Sequence, residues 1–70
     1  MDVRVTYRVY EIRRIKNMTL RDLSIKSGIS RTEINNIENN LKDPTIRTMC
    51  LLSLALDVSL QDLFSIEVIP

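Results

Sequence analysis

The sequence predicts an all-α domain of five short helices, and three observations carry that prediction. Apolar residues are 44% of the 70-residue chain while Gly and Pro together number three, a composition of a packed, helix-rich domain. Apolar side chains recur at three- and four-residue spacing, the period of one helix face. Several of these segments are announced by a Ser or Thr with an acid three positions on: Thr19 with Asp22, Ser30 with Glu33, and Ser59 with Asp62. Seventy residues make a single domain, near the lower limit of what folds without added support.

The first helix is expected from roughly Thr6 to Lys16, where Val5, Val9 and Ile12 fall at helical spacing. The opening VRVTYRV also alternates, with Val3, Val5, Tyr7 and Val9 on one side, so a strand over residues 2–6 competes for the first turn. Thr19 then caps TLRDLSIKS, in which Leu23 and Ile25 supply apolar contacts and Gly28 is the stop. Two residues later Ser30 opens the third helix with a capping box to Glu33, and that helix ends near Asn39 and Asn40. Two short helices joined through so tight a turn cross steeply, as in a helix-turn-helix. LKDP is a loop, and Pro44 and Thr45 start IRTMCLLSLAL, which stops at Asp57 in a left-handed conformation. Ser59 caps a fifth helix, SLQDLF. The β-branched tail SIEVI could be a short strand, and it could pair with VRVTY within one chain or across a dimer.

Charge is unevenly distributed. Residues 1–48 hold all ten Lys and Arg against six acids, a net +4, whereas residues 49–70 hold only Asp57, Asp62 and Glu67, a net −3. A basic front half points to a polyanionic partner. One cysteine and no histidine leave no disulfide framework within the chain and no Cys/His metal spacing. No metal or cofactor is expected, and no carboxylate pair sits in a catalytic setting, so an enzyme is not expected either. The longest apolar run, Met49 to Leu52, is far too short to span a bilayer, and no signal peptide is apparent. The expectation is a cytoplasmic protein with no membrane partner.

The third helix raises a question of composition. Ile34 and Ile37 give it an inner face, yet the rest is Arg31, Thr32, Glu33, Asn35, Asn36 and Asn39, rich in residues that form helices poorly. Stability alone would call for Ala, Glu, Lys or Gln. The stripe Ile12, Leu23, Ile29, Ile34, Ile37, Ile46, Met49 and Leu52 is expected to be core, with Cys50 a packed small hydrophobe. Arg21 and Lys26 are expected to be ordinary solvated charges.

Residues 18 to 64, MTLRDLSIKSGISRTEINNIENNLKDPTIRTMCLLSLALDVSLQDLF, resemble the Cro/cI-type (XRE-like), lambda-repressor-like helix-turn-helix DNA-binding domains. The most specific block is G-I-S-x-x-x-I-x-x-I-E-N from Gly28 to Asn39, followed in register by Pro44 and by D-V-S-L-x-D-L-F. The resemblance implies one DNA-binding domain over residues 1–70, with the helix-turn-helix at about 19–39. It implies base contacts from Arg31, Thr32, Asn35 and Asn36, types whose donors and acceptors suit base edges in the major groove. It implies phosphate contacts from Thr19, Ser30 and Asn39, to which Lys42 in the next loop adds a fourth. Arg13 and Glu38 match a structural salt bridge between the first and third helices. Leu20 stands where a phosphate-touching Gln is frequent, Ser24 where a small Ala crosses the turn, and Asn40 where Gly often follows E-N.

Leu51 and Leu54 occupy positions that family members usually make polar. Exposed apolar clusters mark interfaces, so Leu51, Leu54 and Val58 are expected to form a homodimer contact, or else to pack beneath the terminal segments. The sequence therefore points to a dimeric transcriptional regulator of double-stranded DNA, a repressor because occupying a promoter needs no further surface. Two rivals are a protein-interaction module, such as the small partner of a toxin or of a larger regulator, and a nonspecific DNA binder. The formal charge of +1 argues against the latter.

Overall fold

Every residue from 1 to 70 is described by the computed structural model, in the order β1 (Asp2–Tyr7), α1 (Val9–Ile15), α2 (Leu20–Ser27), α3 (Arg31–Glu38), α4 (Ile46–Leu56), a 3-10 turn (Leu60–Leu63) and β2 (Phe64–Ile69). The five-helix expectation is therefore corrected to four α-helices and a two-stranded sheet. The alternation in VRVTY prevails over the helical period, so α1 starts at Val9 rather than Thr6. SLQDLF is too short to close successive α-turns and forms a single 3-10 turn, with the Ser59 amide and hydroxyl both donating to Asp62 Oδ2. The ends pair within one chain as an antiparallel ribbon, from Asp2 opposite Ile69 to Tyr7 opposite Phe64.

Val9, Ile12, Leu23, Ile34, Ile37, Met49, Leu52, Ala55, Leu56 and Leu63 form the core. Tyr7, Ile29, Val58 and Phe64 pack against its margin. The remaining expected core positions depart from that picture. Ile46 is 69% exposed, Ile25 lies on the outer side of α2, and Cys50 is exposed rather than packed. In α4 the reason is that nearly every side chain is apolar, so periodicity cannot say which side faces inward.

With one glycine available, the chain closes its helices by other means. Gly28 takes φ +79 after α2, but Asn17, Asn40 and Asp57 take φ of 55–57 after α1, α3 and α4. Each of those three ends carries the paired 6→1 and 5→2 amide bonds of a Schellman motif; after α3, Leu41 N–H donates to the Asn36 carbonyl and Asn40 N–H to that of Ile37. Asn and Asp tolerate the left-handed region better than other residues with a side chain. Asn40 thus does the work of the glycine that the resemblance led one to expect.

Candidate nucleic-acid interface

The geometry of α2 and α3 follows from two caps and one turn. Thr19 and Asp22 satisfy each other reciprocally: the Asp22 amide donates to Thr19 Oγ1 at 3.0 Å and the Thr19 amide donates to Asp22 Oδ2 at 2.9 Å. Those bonds hold the Asp22 carboxyl below its ordinary pKa. Gly28 then turns the chain, and the Ser24 hydroxyl bridges it by donating to the Ile29 carbonyl at 2.6 Å. Ser24 is thus an active part of the turn, where a small Ala would make no bond. Ser30 starts α3 by accepting from the Glu33 amide at 3.1 Å. The expected reciprocal box is only half formed, because the Glu33 carboxylate is drawn to Lys42 instead, at 2.7 Å.

Ile34 and Ile37 are fully buried and fix which side of α3 faces out. Arg31, Thr32, Asn35 and Asn39 are exposed and Asn36 half-buried, so the structure brings these residues together on the outward side of one helix. Asn39 Nδ2 donates to the Asn35 carbonyl at 2.9 Å and to Asn35 Oδ1 at 3.2 Å, which tethers the two amides. Ser30 uses its hydroxyl oxygen as an acceptor within the cap, leaving its O–H proton available to an incoming acceptor, whereas the Thr19 hydroxyl is also bonded to the Asp22 carboxylate. Lys42, in the loop after α3, is engaged by Glu33.

Behind this face stands Arg13. Its Nε donates to Glu38 Oε2 at 2.8 Å and its Nη2 to Oε1 at 2.9 Å, a fork-to-fork pair linking α1 to α3. Nη1 also donates to the Met18 carbonyl at 3.2 Å, and the guanidinium lies 5.1 Å from the Tyr10 ring centroid. The Glu38 bonds raise the Arg13 pKa above its already high ordinary value, so the cation is permanent. Buried and forked onto Glu38, Arg13 acts by fixing the position of α3 against α1.

At the opposite end, Leu51 and Leu54 are exposed on α4, Leu54 at 76%, and Val58 is half-buried against the core margin. They do not pack beneath the terminal segments. The alternation of VRVTY and SIEVI was legible in the sequence, but the exposure of Val3, Ile66 and Val68 on one ribbon face was not.

A steep two-helix turn with a polar outward face on the second helix defines a helix-turn-helix protein. Comparison with known proteins agrees: the family model described as "Helix-turn-helix domain" matches residues 6–67. The chain belongs to that family, in its Cro/cI-type (XRE-like) branch. The N-terminal DNA binding domain of SinR from Bacillus subtilis is 33% identical with a TM-score of 0.73, over 77% of this chain and 80% of that one. The wild-type restriction-modification controller protein C.Esp1396I is 41% identical with a TM-score of 0.69, over 73% and 66% respectively. The restriction-modification controller protein C.AhdI from Aeromonas hydrophila shares the fold at a TM-score of 0.76 and 24% identity, over 79% and 83%. A search of curated protein sequences returned no match. No helix is long and apolar enough to cross a membrane.

Proposed function

We propose that this helix-turn-helix protein is a sequence-specific DNA-binding transcription regulator, a repressor that works as a homodimer. One observation carries the proposal most: α3 holds a fully buried Ile34 and Ile37 beneath an outward surface made of Arg31, Thr32, Asn35 and Asn36. Poor helix formers on a helix anchored this firmly are explained by contacts beyond the chain. In the proposed mechanism the Thr19 and Ser30 hydroxyls and the exposed amide of Asn39 seat the protein on phosphates. Arg31 and the Asn amides then meet base edges in the major groove, Arg suiting guanine and Asn adenine. Lys42 joins the phosphate contacts by exchanging the Glu33 carboxylate for a phosphate oxygen. A two-fold pair of such helices reads two half-sites one helical turn apart. Leu51 and Leu54, with Val58 beside them, would supply the contact between copies.

The 33% identity to a DNA binding domain and the 41% identity to a restriction-modification controller both support a regulator. They do not choose between those two settings. The test is selection from a random duplex pool at about 0.15 M salt, wild type against Asn36→Ala. A palindromic consensus that relaxes at one position in each half-site in the variant is the expected result, equivalent to about 1–3 kcal/mol of lost discrimination per contact. If no sequence is enriched, the exposed Leu51 and Leu54 favour the second reading, a protein-interaction module in which α4 is the docking patch.

A further inference from the structure

The ribbon has two chemically distinct faces. Register places Val3 opposite Val68, Val5 opposite Ile66 and Tyr7 opposite Phe64, so one face is entirely apolar. The other carries Asp2, Arg4, Thr6, Ser65 and Glu67, with Ile69 opposite Asp2 at its end and Arg4 bonded to Glu67 across the strands. At the ribbon base the apolar face meets the body: Val5, Tyr7 and Phe64 line one shallow groove with Pro44, Ile46, Met49 and Leu60. Beyond it Val3, Ile66 and Val68 are 46%, 62% and 59% exposed and line a second shallow depression with Met1 and Asp2. An isolated two-stranded ribbon is marginal in water, and this one leaves uncovered the side that hydrophobic burial would use to hold it.

From Ile46 the apolar surface continues along α4, because Ile46, Cys50 and Leu54 follow one another at four-residue spacing, with Leu51 beside them. We infer that this continuous stripe, ribbon face plus outer face of α4, is the seat of a second copy of the chain. The inference rests on the homodimer reading above and extends its surface from α4 to the terminal ribbon. Two properties select a second copy as the occupant. The exposed apolar side chains of the stripe offer roughly 600–800 Å², close to what each partner contributes to a stable interface and more than monomers usually leave bare. Exposed Arg47 and Asp57 stand at opposite ends of α4 beside it, so a two-fold pairing can set opposite rather than like charges against each other.

Sedimentation equilibrium over a wide concentration range tests the inference with three chains. Ile66→Thr/Val68→Thr keeps β-branched strand shapes while removing apolar contact, Leu54→Asp disrupts α4, and Ser65→Thr is the control on the polar ribbon face. The expected result is a wild-type dimer whose dissociation constant rises at least tenfold in the ribbon variant and in Leu54→Asp but not in the control. A ribbon variant that dimerises like the wild type while Leu54→Asp is monomeric overturns the ribbon interface and leaves the homodimer standing. A wild-type chain monomeric throughout overturns both. Should the ribbon variant lose its strand signal by circular dichroism, the methyl resonances of wild-type Val3, Ile66 and Val68 decide. They shift on dilution from dimer to monomer if the ribbon is buried between copies. If they stay fixed while those of Leu54 move, the ribbon is not part of the contact.

Discussion

Two Arg–Glu pairs, one inside the helical body and one on the ribbon, show how differently its halves are built. Arg13 and Glu38 meet through two bonds with side chains only 10% and 6% exposed, in the middle of the helix-turn-helix body. Arg4 and Glu67 meet through one bond of 3.1 Å at 68% and 66% exposure, on the polar face of the ribbon. The first pair has been taken out of water and tied by two parallel bonds, with a third from Arg13 to the Met18 carbonyl. The second remains in water and makes few demands. Around the first, outward side chains are polar and inward ones aliphatic; around the second, one side of the ribbon is apolar and bare. A surface that must hold fixed geometry toward a ligand needs the first arrangement, while the second is that of a segment awaiting a cover.

Breaking the interior pair is expected to have the largest effect. Glu38→Ala leaves the Arg13 guanidinium buried with only the Met18 carbonyl and the Tyr10 ring for company. Loss of one partner of a buried pair costs about 3–5 kcal/mol, a large share of what a domain this small has to spare. Urea denaturation should show the midpoint falling steeply. Replacing both partners, as in Arg13→Met/Glu38→Leu, should recover much of the stability, because an apolar pair of similar volume leaves no charge stranded. A double variant as unstable as the single one would mean that Arg13 acts through Met18 and Tyr10 rather than through Glu38.

The same contrast explains which features were legible in the sequence. The caps at Thr19, Ser30, Thr45 and Ser59, the Gly28 turn, the left-handed Asp57 and the buried Ile34 and Ile37 all follow from interactions within a few residues, which local pattern records. The ribbon does not. VRVTYRV satisfies a period of two and a period of 3.6, and the choice is made by SIEVI some sixty residues away. Glu33 was misjudged because S-x-x-E promises a box, while a competing cation nine residues on, Lys42, claims the carboxylate. Cys50 and Ile46 were placed inside because α4 is apolar on almost every side; which side is core depends on where α2 and the 3-10 turn sit. Within the candidate interface the residue types could be read, and the tether between Asn35 and Asn39 could not, since it depends on side-chain rotamers.

Tyr7 stands where the two halves join, and its effect should be intermediate. Its hydroxyl donates to Asp43 Oδ1 at 2.7 Å, tying the ribbon base to the loop after α3. Burial, and then the bond to Asp43 and its negative charge, push the Tyr7 pKa up from 10.0 to about 12. The folded chain therefore holds that proton more tightly than the unfolded one. Its contribution is complete below pH 10 and is lost as pH rises through 12. Tyr7→Phe should lower stability by about 1 kcal/mol at pH 8, and the gap between the two chains should close between pH 10 and 12. Denaturant midpoints at pH 8 and across that window measure this directly. A gap that stays constant with pH would mean that folding does not tighten the hold on the Tyr7 proton, and no gap at pH 8 would mean that the hydroxyl bond contributes nothing the ring does not.

The smallest effect belongs to the ribbon's own ion pair. Arg4→Ala removes a single exposed bond to Glu67, and exposed pairs are worth about 0–1 kcal/mol because water serves both ions nearly as well. Stability and DNA selection should both stay within error of the wild type. The variant is informative for that reason: it alters the polar ribbon face while leaving Val3, Ile66 and Val68 in place. If the apolar face is what the ribbon is for, the dissociation constant of the dimer should be unchanged in Arg4→Ala at any salt concentration. A dimer that weakens in this variant, and weakens further in the wild type as salt rises, would move the contact to the charged face and reverse the assignment of the two faces.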